Sequence, residues 1–91
     1  MNNDTFDFGD GPVPAHRHPN GGGWVADTAY VAPTAYVGPN SRVYEKAQVS
    51  GEARVYGTAS VYGKAWVGDG ALVYGETRVY GEARIESGSS V

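Results

Sequence analysis

His16-Arg17-His18 holds both histidines of this 91-residue chain. In an extended segment, side chains two apart fall on one side, so the two imidazoles point the same way. Three chains around an axis would then offer six imidazoles, enough for an octahedral metal site. The simpler expectation is a proline-flanked arm whose histidines pack or hydrogen-bond at a subunit contact, with no bound metal or cofactor. A second chemical set is aromatic and cationic. Tyr44, Tyr56, Tyr62, Tyr74 and Tyr80 recur at multiples of six, with Arg42 and Arg78 beside them. Aromatic rings and guanidinium groups dominate the energetics of protein interfaces. Spaced rings also suit stacking on sugars. With no such partner, tyrosine columns steady stacked strands.

These residues are positioned by a strict period. Valine or isoleucine stands at Val25, Val31, Val37, Val43, Val49, Val55, Val61, Val67, Val73, Val79, Ile85 and Val91. Four places after each of them from Val25 to Ile85 lies a small residue, such as Ala29, Ala35, Ser41, Ala47 or Ala53. Alanine and the next valine are two apart, so both face one side of a short strand. The place two after valine is rich in turn formers, such as Pro33, Pro39, Gly51, Gly57, Asp69 and Gly75. Each hexad therefore makes one strand and one corner. Three sides close a triangular coil, and coils stack at about 4.8 Å. A helix is excluded, because a period of six matches no helical face.

The unbroken [Val/Ile]-x-x-x-[Ala/Ser/Thr]-x units from Val25 to Ser90 resemble the hexapeptide-repeat, left-handed parallel β-helix family. The resemblance implies an all-β fold: a single-stranded left-handed parallel β-helix of about four triangular coils. It also implies a homotrimer. The repeat wording Val-Tyr-Gly-x-Ala-Arg, with its Phe-Asp-Phe-Gly leader, is similar to short hexapeptide-repeat proteins of phages and bacteria. Many members of the family are acyltransferases with a histidine general base in the solenoid. Residues 24–91 hold no histidine, and no loop interrupts the hexads. The three zinc-binding histidines of the family's carbonic anhydrases have no counterpart either. The expectation is a non-enzymatic structural module.

Folding the pattern at eighteen residues assigns the outward columns. Arg42 and Arg78 fall in one column of face one, with Trp24 and Ser60. Tyr44, Tyr62 and Tyr80 form the next. Tyr56 and Tyr74 form a column on face three. These seven tyrosines and arginines are the expected oligomer interface. Arginine stacked on tyrosine contributes roughly 0.5–2 kcal/mol per contact. Thr28, Thr34, Thr58 and Thr77 do not align at eighteen, which argues against an ice-binding threonine array.

Residues 1–23 carry no hexad and read as an extended N-terminal arm, with Gly21-Gly22-Gly23 as a flexible hinge. Phe6, Phe8 and Val13 are expected to cover the open first coil, and the arm to dock a virion or surface-assembly partner. The series stops at Val91 on a core position, which raises end-to-end stacking into a filament. The net charge of -3 and the scattered basic residues argue against nucleic acid. No apolar run approaches a membrane span, so no membrane contact is expected. The chain is expected to be soluble.

Overall fold

A computed structural model describes residues 4–9 and 11–90, and among them there is no helix. Val91, the last of the valine series, lies outside the described residues. Two N-terminal strands, β1 (Thr5–Asp7) and β2 (Pro12–Arg17), precede the coils. The first coil carries β3 (Trp24–Ala26), β4 (Tyr30–Val31) and β5 (Tyr36–Val37). The second carries β6 (Arg42–Val43), β7 (Gln48–Val49) and β8 (Arg54–Val55). The third carries β9 (Ser60–Val61), β10 (Trp66–Val67) and β11 (Leu72–Val73). An incomplete fourth has β12 (Arg78–Val79), β13 (Arg84–Ile85) and a bridge from Ser90 back to Leu72.

Each coil strand pairs in parallel with the strand eighteen residues on, so Val25, Val43, Val61 and Val79 stand in register. Main-chain bonds cross from coil to coil at an offset of seventeen, as in Tyr30 N to Ala47 O at 2.9 Å and Tyr56 N to Val73 O at 2.9 Å. Corners close by bonds such as Ala35 N to Ala32 O at 2.9 Å. The core is narrow, and it is filled by the predicted valine and alanine rows from Val25 to Val79. Nothing among the described residues covers the fourth coil: Ala83 is exposed, whereas Ala47, Ala53, Ala59, Ala65 and Ala71 are buried.

The corner position that varies between proline and glycine marks two turn types. Pro33 and Pro39 are locked at negative φ. Gly57 and Gly63 take φ 72° at the same place. Glu45 adopts φ 60° there as the one positive-φ non-glycine among the described residues. Its Oε1 accepts the Gly63 amide of the next coil at 2.8 Å, which offsets the strain.

The N-terminal segment differs from the expected extended arm. β1 and β2 form an antiparallel hairpin, and β2 pairs antiparallel with β3, so the segment continues the face-one sheet. The reason is local. Asp7 Oδ1 accepts the amides of Gly9 and Gly11 at 2.7 and 3.1 Å, which ties the hairpin turn. The glycine run is a tight turn and no hinge. His18 N donates to Gly23 O at 2.8 Å, and Gly22 N to His18 O at 2.9 Å. Val37 of β5 is held from both sides, its amide donating to Asn20 O and its carbonyl accepting from Gly23 N, each at 3.0 Å. Ala15 (0 % exposed) and His18 (4 %) seal the first coil. Phe6 and Phe8 instead lie on outward rings. The hairpin thus covers β3 and the turn at residues 18–23 covers β5, while β4 stays a sheet edge.

Gly23 has no room for a side chain: a methyl there would meet the Gly38 carbonyl oxygen and Val37 Cγ1. Gly23→Ala is expected to cost about 1–3 kcal/mol, lowering the melting temperature by roughly 4 °C or more. Glu82→Ala, at an exposed corner, should move it far less. Circular dichroism melts read both; a Gly23→Ala melt equal to that of the native chain would contradict the cap.

Candidate functional site

Face one collects the chemistry. Strands keep side chains perpendicular to the sheet, so residues in register form columns along the solenoid axis. One column is a ring stack. Phe8, Tyr44, Tyr62 and Tyr80 stack in turn, with centroids 4.6, 4.8 and 5.5 Å apart and planes within 15°. Each such pair contributes about 0.5–1.5 kcal/mol beyond burial. Tyr56 and Tyr74 make a shorter stack on face three, 5.5 Å apart.

The neighbouring column mixes rings with guanidiniums. Trp24 is stacked on Phe6 at 4.9 Å, and the Arg17 guanidinium lies 4.8 Å over the indole. Arg42 lies 5.4 Å over the Phe6 ring. Phe6 meets Phe8 edge-on at 4.7 Å, which joins the two columns through the hairpin. The guanidiniums, Trp24 and Phe6 line an open groove of about 810 Å³ that runs down to Ser60 and Arg78. A smaller apolar cleft of about 300 Å³ lies under the hairpin tip, between Val13, Pro14 and Tyr44.

The seven expected interface residues therefore divide. Tyr44, Tyr62 and Tyr80 stand in one ladder and Tyr56 and Tyr74 in another, as the period of eighteen predicts. Arg42 and Arg78 share a column, but Arg42 is turned onto Phe6 and both line the groove. Arg17, Phe6 and Phe8 were missed. They belong to face one only because the hairpin puts Arg17 in register with Trp24. The available signal was Phe-Asp-Phe-Gly followed two residues later by Gly-Pro-Val, a hairpin pattern.

The histidines do not converge. His18 is buried, with Nε2 2.8 Å from the Ala35 carbonyl oxygen. His16, in register with Val25, is half-exposed, with Nδ1 2.7 Å from Asp27 Oδ1. Among the described residues no group of three or more His, Cys, Asp or Glu side chains is placed to hold a metal ion. Comparison with protein families, with curated proteins and with solved structures gives no match to this chain.

Tyr44 is the titratable group most affected. Burial raises its pKa above the ordinary phenol value, and Tyr62 and Glu45 beside it act in the same direction. Arg42 and Arg78 oppose the shift without cancelling it. The folded chain thus holds this proton beyond the pH at which the unfolded chain releases it. The associated stability is fully present below about pH 10 and is lost as pH rises through the folded value. Tyr44→Phe should flatten the alkaline limb of a stability-against-pH curve measured by urea unfolding. An alkaline limb unchanged in the variant would contradict the assignment.

Proposed function

We propose that this chain is a non-enzymatic assembly module: a stiff β-helix that forms a homotrimer through its tyrosine ladders. It serves as a building piece of a larger particle, such as a virion decoration, tail or fibre component. The observation that carries this is the exposed ladder. Tyr80 is 59 % exposed at the foot of a four-ring stack, and Tyr74 is 42 % exposed on the other ladder. A small domain gains little by displaying large rings in rows, unless a partner covers them. Covered aromatic rows are what interface cores are built from.

Other features support the same reading. Coil-to-coil main-chain bonds run without a break from the first coil to the fourth, which suits a mechanical part. The solenoid lacks the histidine that the family's transferases use as a base. The link to a virion rests on the leader and repeat wording described above, and the hairpin supplies an ordered N-terminal surface for docking.

Light scattering on the purified chain should give three times the 9.6 kDa chain mass. Tyr62→Ser combined with Tyr80→Ser leaves the Phe8–Tyr44 contact in place. The double variant should fall to a smaller species with an unchanged circular dichroism spectrum. A single-chain mass for the native protein, or an unchanged trimer in the variant, would sink the proposal.

A further inference from the structure

The register of the face-one sheet contains a pattern that neither the period nor the tyrosine ladders account for. Arg17 pairs with Trp24, Trp24 with Arg42, Arg42 with Ser60, and Ser60 with Arg78. Read along the solenoid axis, the column is Arg17, Trp24, Arg42, Ser60, Arg78. An arginine occupies every second rung. With strands about 4.8 Å apart, the backbone positions of successive arginines lie about 9.6 Å apart, and the column spans about 19 Å.

The groove is also electrostatically distinct. The chain carries seven Lys and Arg against ten Asp and Glu. Three of those seven cations line this groove, with Glu76 as its one carboxylate. Among the described residues none of the three arginines has a carboxylate within 4.0 Å, and the one ion pair, His16 with Asp27, lies elsewhere. All three are exposed. Two are held from behind by rings, Arg17 by Trp24 and Arg42 by Phe6. Stacking fixes the guanidinium plane: Arg42 keeps its N–H edge open for bidentate contact with an oxyanion, and Arg17, whose Nη1 also donates to Gly22 O at 3.4 Å, offers its remaining N–H groups.

We propose that this groove binds a linear acidic polysaccharide that carries a carboxylate or sulfate on alternate sugars and lies along the solenoid axis. The spacing selects the ligand. A pyranose joined through equatorial bonds advances by about one strand spacing, so each ring lies over one rung and each second ring presents its acid to an arginine. The rungs between carry Trp24 and Ser60, and Asn40 and Thr58 lie at the groove's lip, where uncharged sugars present hydroxyls. An extended acidic peptide repeats its same-side groups at about 6.6 Å and falls out of step. Nucleic-acid phosphates rise by about 3.4 Å per residue along the duplex axis and wind around it, so they do not follow a straight column at this repeat. The site needs no second copy of the chain, and it requires that the proposed trimer, closed through the neighbouring tyrosine ladder, leave this column open.

Calorimetric titration of the full chain with defined oligosaccharides tests this. A hyaluronate hexasaccharide has three carboxylates on alternate sugars and should bind. A keratan sulfate hexasaccharide sulfated only on its N-acetylglucosamines, with one sulfate per disaccharide and equatorial linkages throughout, is the second arm; the tighter of the two names the oxyanion. A hyaluronate tetrasaccharide reaches only two arginines and should bind about tenfold more weakly than the hexasaccharide. Arg78 makes no ring contact, so Arg78→Gln should keep the fold, checked by its melt. That variant should bind the hexasaccharide about tenfold more weakly than the native chain does. Its mass in light scattering should not change. The proposal is overturned if neither acidic hexasaccharide binds, or if neutral chitin hexasaccharide, hexaglutamate or a hexanucleotide binds as tightly. It is equally overturned if Arg78→Gln leaves the affinity unchanged.

Discussion

The hydrogen bond from one coil to the next, repeated at an offset of seventeen residues, is the constraint on which the rest of the structure depends. It fixes the register, and the register turns a linear period of six into columns. Small residues before each strand and valines within it are the only fillers that let three sides approach this closely around one axis. The core therefore tolerates no large side chain, and the large residues go outside. Tyrosine, tryptophan and arginine on the surface follow from a core that has no volume for them. Once outside, they are forced into rows at the strand spacing, and a row of rings stacks.

A ladder of this kind needs a start. The first coil would present three open edges, each a template for unwanted pairing. The N-terminal segment closes two of them by different means. On face one it adds strands. On face three it uses only Asn20 and Gly23, which bond both main-chain groups of Val37. His18 fills the space between, spending its Nε2 on the Ala35 carbonyl, a bond that Asn20 Nδ2 shares at 3.1 Å. The same segment brings Phe6 and Phe8 over Trp24 and Tyr44, so that cap and outer surface are one unit. Its arginine, Arg17, extends the face-one column by one rung.

Most of the solenoid was legible in the sequence. The period of six, the small residues before the strands and the turn formers at the corners each have one physical reading, and all of them agree. The tyrosine ladders followed from arithmetic at eighteen. The cap was not legible, because it obeys no period. The hairpin depends on Asp7 gathering two glycine amides, and the Gly21–Gly23 turn depends on contact with Val37 and Gly38, which lie far along the chain. Glycine runs signal flexibility and close approach alike, and only the packed neighbour distinguishes them. Arg17 was invisible as a site residue for the same reason: its column is set by antiparallel pairing, which the repeat does not encode.

Amide hydrogen exchange measures the sealed ladder most directly. Gly23 and Val37 amides, bonded within the cap, should exchange as slowly as those of Ser50 and Tyr56 in the second coil. Tyr80 and Glu86 amides hold the places of Tyr62 and Gly68, with no further coil among the described residues to receive them, and should exchange fast. Gly23 and Val37 exchanging as fast as Tyr80 and Glu86 would mean that the N-terminal segment does not seal the solenoid, and the account of the fold and its outer face would fail with it.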